Sequence, residues 1–158
     1  MTNAESLVAL LKEKKMKIAC AESCTGGLMA KKITDVSGSS EVFELGVVAY
    51  ANRIKTKVLN VPEDLLAAKG AVCAEVAEYL AKGVCLLGES EIGTGITGIA
   101  GPGGGTPEKP VGLVYISVYI KSEDKFFTEE LRLNGSREQV RNATSEHVLE
   151  KVIDIVAR

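Results

Sequence analysis

The sequence predicts an α/β fold: a three-layer α/β/α sandwich around a mixed, mostly parallel sheet that ends in an antiparallel hairpin. Between Met16 and Thr97, short apolar runs of strand length alternate with stretches of helical periodicity, the pattern of strands joined by covering helices. Two runs rich in β-branched and aromatic residues, Val111–Ile120 and Lys125–Leu133, then follow in succession around Lys121-Ser122-Glu123-Asp124, as a hairpin requires. The closing stretch Ser136–Ala157 carries Val140, Thr144, Val148, Val152 and Ile155 on one stripe, the mark of a long amphipathic helix.

In order along the chain, Ser6, Leu7, Leu10 and Leu11 share a helical face, with Thr2 or Asn3 as N-cap and lysines in the last turn. The apolar run Met16–Ala21 is too short for a helix and reads as a strand. It breaks at Glu22-Ser23-Cys24-Thr25-Gly26-Gly27, after which Leu28, Met29, Ile33 and Val36 resume helical spacing. Phe43–Ala51 reads as a buried strand, Pro62–Lys69 as a short helix with proline near its first turn, and Ala74–Leu87 as a longer helix. Glu91–Thr97 reads as a strand that enters the glycine- and proline-rich loop Gly98–Pro107, where neither helix nor ladder persists. Asn134 or Ser136 is placed to cap the last helix. The 158 residues fit one domain, with no second domain, repeat or linker in view.

Composition narrows the function classes. Lys and Arg number 19 against 21 Asp and Glu, for a formal charge of -2, so no broad basic surface is available for nucleic acid or an anionic membrane. The first residues lack the apolar run of a signal peptide, and no stretch is apolar enough to span a bilayer; a soluble, cytoplasmic protein is expected. The four cysteines, Cys20, Cys24, Cys73 and Cys85, lack zinc-site spacing and are expected reduced, as small core residues. No metal or cofactor is expected.

The turn after the first strand is the strongest chemical candidate. Ser23 stands where strand gives way to helix and two glycines follow, so backbone can crowd a ligand while helix-terminal amides face outward to hold an oxyanion. A serine there can equally serve only as a helix cap. As a nucleophile it needs a base, and the one histidine, His147, lies midway along the last helix, so a Ser-His-Asp triad is not supported. Lys55 is the alternative base, since desolvation disfavours the ammonium; it is also a position where a solvated surface lysine is ordinary. It follows the strand ending at Tyr50, near Ser23 if the two strands are neighbours. Cys24 is a rival nucleophile. Gly93-Thr94-Gly95-Ile96-Thr97-Gly98 satisfies G-x-G-x-x-G, but loop residues rather than a helix follow it, which excludes the dinucleotide fingerprint. A close-approach loop for a small anionic or nucleotide ligand remains.

Three segments taken together, Ala21-Glu22-Ser23-Cys24-Thr25-Gly26-Gly27, Tyr50-Ala51-Asn52-Arg53-Ile54-Lys55, and Gly98-Ile99-Ala100-Gly101-Pro102 leading through Gly104-Gly105 to Lys109-Pro110-Val111-Gly112, resemble the CinA C-terminal family in order and spacing. The similarity extends over essentially the whole chain and includes Gly135-Ser136-Arg137 and Arg141. What the resemblance implies is metal-free deamidation of nicotinamide mononucleotide to nicotinic acid mononucleotide and ammonia. Ser23 would be the nucleophile, Lys55 its base and Tyr50 a proton relay or orienting group. The matching positions also imply substrate contacts from Cys24, Thr25, Gly26, Gly27, Asn52, Thr97, Gly98, Gly101, Gly104, Gly105, Arg137 and Arg141, the last suited to phosphate or transition-state charge. Two departures stand out: Ala51 and Cys73 occupy places where the family often has serine. Larger members carry a further N-terminal domain resembling molybdopterin-binding proteins; this sequence has no counterpart to it, so the pyrophosphatase activity associated with that domain is not expected. Self-association into a homo-oligomer is expected. Two other readings stay open: a non-catalytic nucleotide-binding module of the same fold, and a thiol enzyme using Cys24.

Overall fold

The computed structural model describes residues 1–158. Five strands, β1 (Ile18–Glu22), β2 (Phe43–Val48), β3 (Ile92–Gly98), β4 (Leu113–Ile120) and β5 (Lys125–Arg132), form one sheet in the order β2-β1-β3-β4-β5. β1 pairs in parallel with β2 and β3, and β4 pairs antiparallel with β3 and β5. Thus β4 alone runs against the other strands, as the expected mixed sheet with a terminal hairpin requires. Six helices cover it: α1 (Asn3–Lys14), α2 (Leu28–Thr34), α3 (Asn52–Leu59), α4 (Glu63–Lys69), α5 (Ala74–Leu87) and α6 (Arg137–Val156). None is long and apolar enough to cross a membrane.

Side-chain alternation divides the core between the two faces of the sheet. On β1, Ile18 and Cys20 join Leu7, Leu11, Met29, Val148 and Val152 under α1, α2 and α6. Ala19 and Ala21 point the other way, into a cluster with Leu59, Val76, Leu80 and Val84 beneath α3 and α5. Thr2 and Ser136 each close a capping box, on α1 and α6 respectively, as the sequence predicts for the first of the two candidates at one end and the second at the other.

β3 explains the glycine run. A Cβ on Gly93 would lie 2.0 Å from the Ala81 carbonyl oxygen, and one on Gly95 2.2 Å from that of Ala77. These glycines let the α5 backbone rest directly on the strand, so their spacing records helix–sheet packing, in keeping with the exclusion of the dinucleotide motif.

Two elements differ from expectation. β2 stops at Val48, and it is an edge strand with every second residue exposed, because only β1 lies beside it. The chain then leaves the sheet, and Asn52–Leu59 forms α3, a helix the sequence analysis does not predict. Its signal was present: Ile54 and Val58, and likewise Lys55 and Leu59, are spaced i,i+4. The lysine in that buried pair hid it, since the apolar periodicity is incomplete without counting Lys55 as an inward position.

Candidate functional site

The turn after β1 is held by its preceding residue. Glu22 is buried, and its carboxylate accepts from Thr25 Oγ1 at 2.6 Å, from the Met29 amide at 2.9 Å and from the Ala30 amide at 3.0 Å. The last two are first-turn amides of α2, so Glu22 supplies the acceptors that a helix N-terminus lacks, and a negative charge where the helix dipole favours it. Ser23 is therefore not the cap. Its amide donates to the Ile96 carbonyl at 3.1 Å, pinning the turn to β3, while its hydroxyl makes no hydrogen bond within the chain and faces a cavity of about 280 Å³. The Cys24 and Thr25 amides likewise donate to no group in the chain.

Lys55 enters the same cavity from α3. It is 1% exposed, has no carboxylate partner, and its Nζ donates to the Tyr50 carbonyl oxygen at 3.0 Å. Burial holds its pKa below the ordinary lysine value, with the nearby Cys24 thiol pulling weakly the other way. The parallel pairing Glu22↔Val48 brings the chain ends after β1 and β2 side by side, which is why positions 23 and 55 line one cavity. No direct hydrogen bond joins Ser23 Oγ to Lys55 Nζ; the lysine spends its donor on the carbonyl of Tyr50.

The glycine-rich loop and the start of α6 also line the cavity. Arg137 donates from Nη1 to the Gly101 carbonyl at 2.8 Å and from Nη2 to the Tyr50 hydroxyl at 2.9 Å, tying loop to rim. Tyr50 itself is 59% exposed. Thr97 Oγ1 donates to the Ala71 carbonyl at 2.9 Å, fixing the segment before α5 as another wall. Asn52, Gly98, Gly101, Gly104 and Cys24 also line the cavity. The lining holds the guanidinium of Arg137 and the amine of Lys55 and no carboxylate, so it presents no negative charge to an anionic ligand.

Along the chain, residues 1–156 match the family model described as the CinA C-terminal domain. The protein belongs to the CinA C-terminal domain family. A CinA-like protein of Desulfovibrio desulfuricans is 48% identical over 91% of this chain and 34% of its own length, and one of Dictyoglomus thermophilum is 47% identical over 92% of this chain and 35% of its own. The chain thus spans about a third of the length of the curated relatives it matches. Among solved structures, the competence/damage inducible protein CihA from Agrobacterium tumefaciens superposes with a TM-score of 0.94 at 34% identity, covering 100% of this chain and 98% of that one.

Within this CinA domain, five of the expected contact residues stand outside the cavity, each for a local reason. Arg141 is turned onto the carbonyls of Cys24 (Nε, 3.2 Å) and Thr25 (Nη2, 2.8 Å); it braces the turn from behind. Thr25 is fully buried and bonded to Glu22. Gly26 takes φ +57°, and a Cβ there would lie 3.2 Å from Arg141 Nη2. Gly27 takes φ +97° as it opens α2. Gly105 packs against the Val111 amide, 2.8 Å from where its Cβ would stand.

Cys24 lines the cavity, but burial pushes its thiol up to about 11, the opposite of an activated nucleophile. Cys20 and Cys85 are raised by burial to about 12 and about 11, and all four cysteines are buried and unbridged. His147 is paired with Glu129 of β5 at 2.9 Å, away from the cavity. Nowhere do three or more His, Cys, Asp and Glu side chains converge in a metal-holding arrangement. The sequence analysis missed the Ala71-Val72 wall, Gly103 of the loop and the role of Glu22. Only Glu22 left a signal: an acidic residue at the end of an apolar strand, just ahead of a helix with no acidic residue in its own first turn.

Proposed function

We propose that this CinA domain hydrolyses the carboxamide of nicotinamide mononucleotide, giving nicotinic acid mononucleotide and ammonia, with Ser23 as nucleophile and Lys55 as general base. The observation that carries the reading is the buried Lys55 amine, without any carboxylate partner, in one cavity with a serine hydroxyl that has no other bond to make. Desolvation increases the neutral fraction of Lys55, which is the form able to take the serine proton.

In the first step Ser23 Oγ bonds to the carboxamide carbon as its proton passes to Lys55 Nζ. The Cys24 amide, free of backbone partners, supplies a donor for the oxyanion that forms. The C–N bond then breaks, Lys55 returns the proton to the leaving nitrogen, and ammonia departs. Water adds to the acyl-serine with Lys55 again as base, releasing the carboxylate and restoring Ser23. Tyr50, whose carbonyl holds Lys55 and whose hydroxyl meets Arg137, orients the base and closes the rim over the ligand.

A ligand-binding module without turnover draws support from one observation, the engagement of Lys55 with Tyr50 rather than with Ser23. Catalytic hydrogen bonds commonly tighten only with substrate in place, so an assay separates the readings. Ammonia release from nicotinamide mononucleotide is expected, with Ser23→Ala and Lys55→Met each reducing kcat by at least about 10³-fold. Calorimetric binding without product identifies the module, and full turnover by Ser23→Ala removes the serine mechanism.

A further inference from the structure

Two backbone amides in the turn after β1, those of Cys24 and Thr25, have no acceptor within the chain. Both are tied through peptide units to one side chain, Arg141. Its Nε donates to the Cys24 carbonyl at 3.2 Å, and that carbonyl shares a peptide unit with the Thr25 amide. Its Nη2 donates to the Thr25 carbonyl at 2.8 Å, which also accepts from the Leu28 amide at 3.1 Å. The Thr25 carbonyl shares its unit with the Gly26 amide, which donates to the Ser23 carbonyl at 2.9 Å, and the Ser23 carbonyl shares its unit with the Cys24 amide. A continuous path through two peptide units thus runs from the guanidinium to the Cys24 N–H. Arg141 forms no ion pair. It does not line the Ser23 cavity but a separate one of about 440 Å³, with Leu28, Arg137, Glu138 and Asn142.

We propose that Arg141 is a positioning residue for the transition state: without touching the ligand, it polarises the peptide units of the turn and strengthens the Cys24 N–H as donor to the oxyanion. The proposal rests on the amidohydrolase reading of the site. A donor at one end of a peptide unit draws electrons toward the carbonyl oxygen and leaves the N–H at the other end more positive, and hydrogen-bonded units pass the effect along. A guanidinium does this as a permanent charge, since it is not deprotonated at any working pH. Burial raises the Cys24 thiol, and the Arg141 charge opposes that rise; the field that favours a thiolate at residue 24 also favours an oxyanion beside it. Neutral donors or water would satisfy the two carbonyl oxygens equally well, so what the arginine adds is charge. The gain appears as negative charge develops on the carboxamide oxygen and is small in the ground-state complex, so it belongs to kcat rather than to KM.

Arg141→Gln and Arg141→Lys separate polarisation from bracing, because both new side chains can donate to a main-chain carbonyl and only lysine is charged. Losing a whole oxyanion donor costs roughly 10²–10³-fold in kcat. Losing polarisation passed along hydrogen bonds, about 10–30% per bond, is expected to cost Arg141→Gln about fivefold to tenfold in kcat with nicotinamide mononucleotide, at nearly constant KM. Arg141→Lys is expected to stay within about twofold of wild type. The same contrast is read in trans on Arg141→Ala, where any folding cost is common to both arms: ethylguanidinium is expected to restore turnover, and neutral ethylurea, of the same shape, is not. Equal kcat in the glutamine and lysine variants, equal rescue by ethylurea, or a loss in Arg141→Gln that falls on KM alone overturns the proposal and leaves Arg141 a brace, with ammonia release by the wild type showing that the hydrolase stands. No ammonia from the wild type overturns the hydrolase reading itself, and the proposal with it.

Discussion

Replacing Glu22 by glutamine changes one atom and should loosen the whole β1 turn. In the best orientation of the new amide, its oxygen keeps the Thr25 hydroxyl and the Met29 amide, which both reach Oε1, and its nitrogen is turned toward the Ala30 amide, which reached Oε2 at 3.0 Å. Two donors then face each other at the first turn of α2, leaving a partly buried N–H unsatisfied at a cost of about 1–3 kcal/mol. The two retained bonds lose their charge assistance, worth roughly 0.5–1 kcal/mol each. The sum is about 3 kcal/mol, which for a chain of this size lowers the melting temperature by roughly 6–12 °C. Circular dichroism on heating, repeated in urea to give an independent free energy, measures it; Glu22→Ala, which orphans every donor, should fall further. Because Ser23 is the next residue, turnover measured well below the transition should drop as well. A Glu22→Gln melting temperature within about 2 °C of wild type would show that α2 is held by something other than this carboxylate, and the account of why Ser23 is free would fail with it.

Other substitutions test the remaining assignments. Lys55 has a folded-state pKa below the ordinary value of 10.5, so between those two pH values the unfolded chain binds more protons and stability rises with pH. Lys55→Met should therefore stabilise the fold at pH 7 by about 1 kcal/mol while abolishing turnover, with the gain shrinking as pH nears 10.5; a lower melting temperature at pH 7 would contradict this. In the wild type, log kcat/KM should climb with pH along a limb set by Lys55, below the titration range of a free lysine. Cys24→Ala should keep turnover within about threefold of wild type, and iodoacetamide should label Cys24 slowly at pH 8; rapid labelling that kills activity would return the thiol to consideration. Gly95→Ala places a Cβ 2.2 Å from the Ala77 carbonyl and 2.7 Å from the Ala81 amide, so α5 must lift off β3 at a cost of about 3 kcal/mol or more, read from urea unfolding.

How much of this was legible depends on whether a residue's neighbours are local. Helix α6 and the β4–β5 hairpin follow from periodicity and turn chemistry, and β1 from the shortness of its apolar run, because each signal lies within the segment. The edge position of β2 was not legible: Phe43–Ala51 is apolar enough for a central strand, and only the sheet order reveals that one side lacks a partner. Lys55 shows the converse limit. Its burial depends on Leu59 and Ile54 packing α3 against α5, a tertiary event that carries an amine inward despite its intrinsic preference for water. Ser23, Tyr50 and Lys55, matched through the family resemblance, line one cavity, but the resemblance did not tell which other matched residues line it and which do not.

That last distinction has a physical basis. Scaffold and chemistry at a strand-to-helix turn draw on the same short polar residues and the same glycines, so Ala21-Glu22-Ser23-Cys24-Thr25-Gly26-Gly27 looks uniformly functional. In the fold, Glu22 and Thr25 satisfy one another, Arg141 consumes the carbonyls of Cys24 and Thr25, and Gly26 is shaped to admit that arginine. The Ser23 hydroxyl makes no hydrogen bond within the chain, and Ser23 lines the cavity. A polar group that has no partner in the chain and borders open space keeps its hydrogen-bonding capacity for whatever enters that space. By the same criterion Lys55, bonded to a single carbonyl although it can donate three times, keeps donors in hand for the cavity. Both residues are among the three to which the family resemblance assigns catalytic roles, Tyr50 being the third.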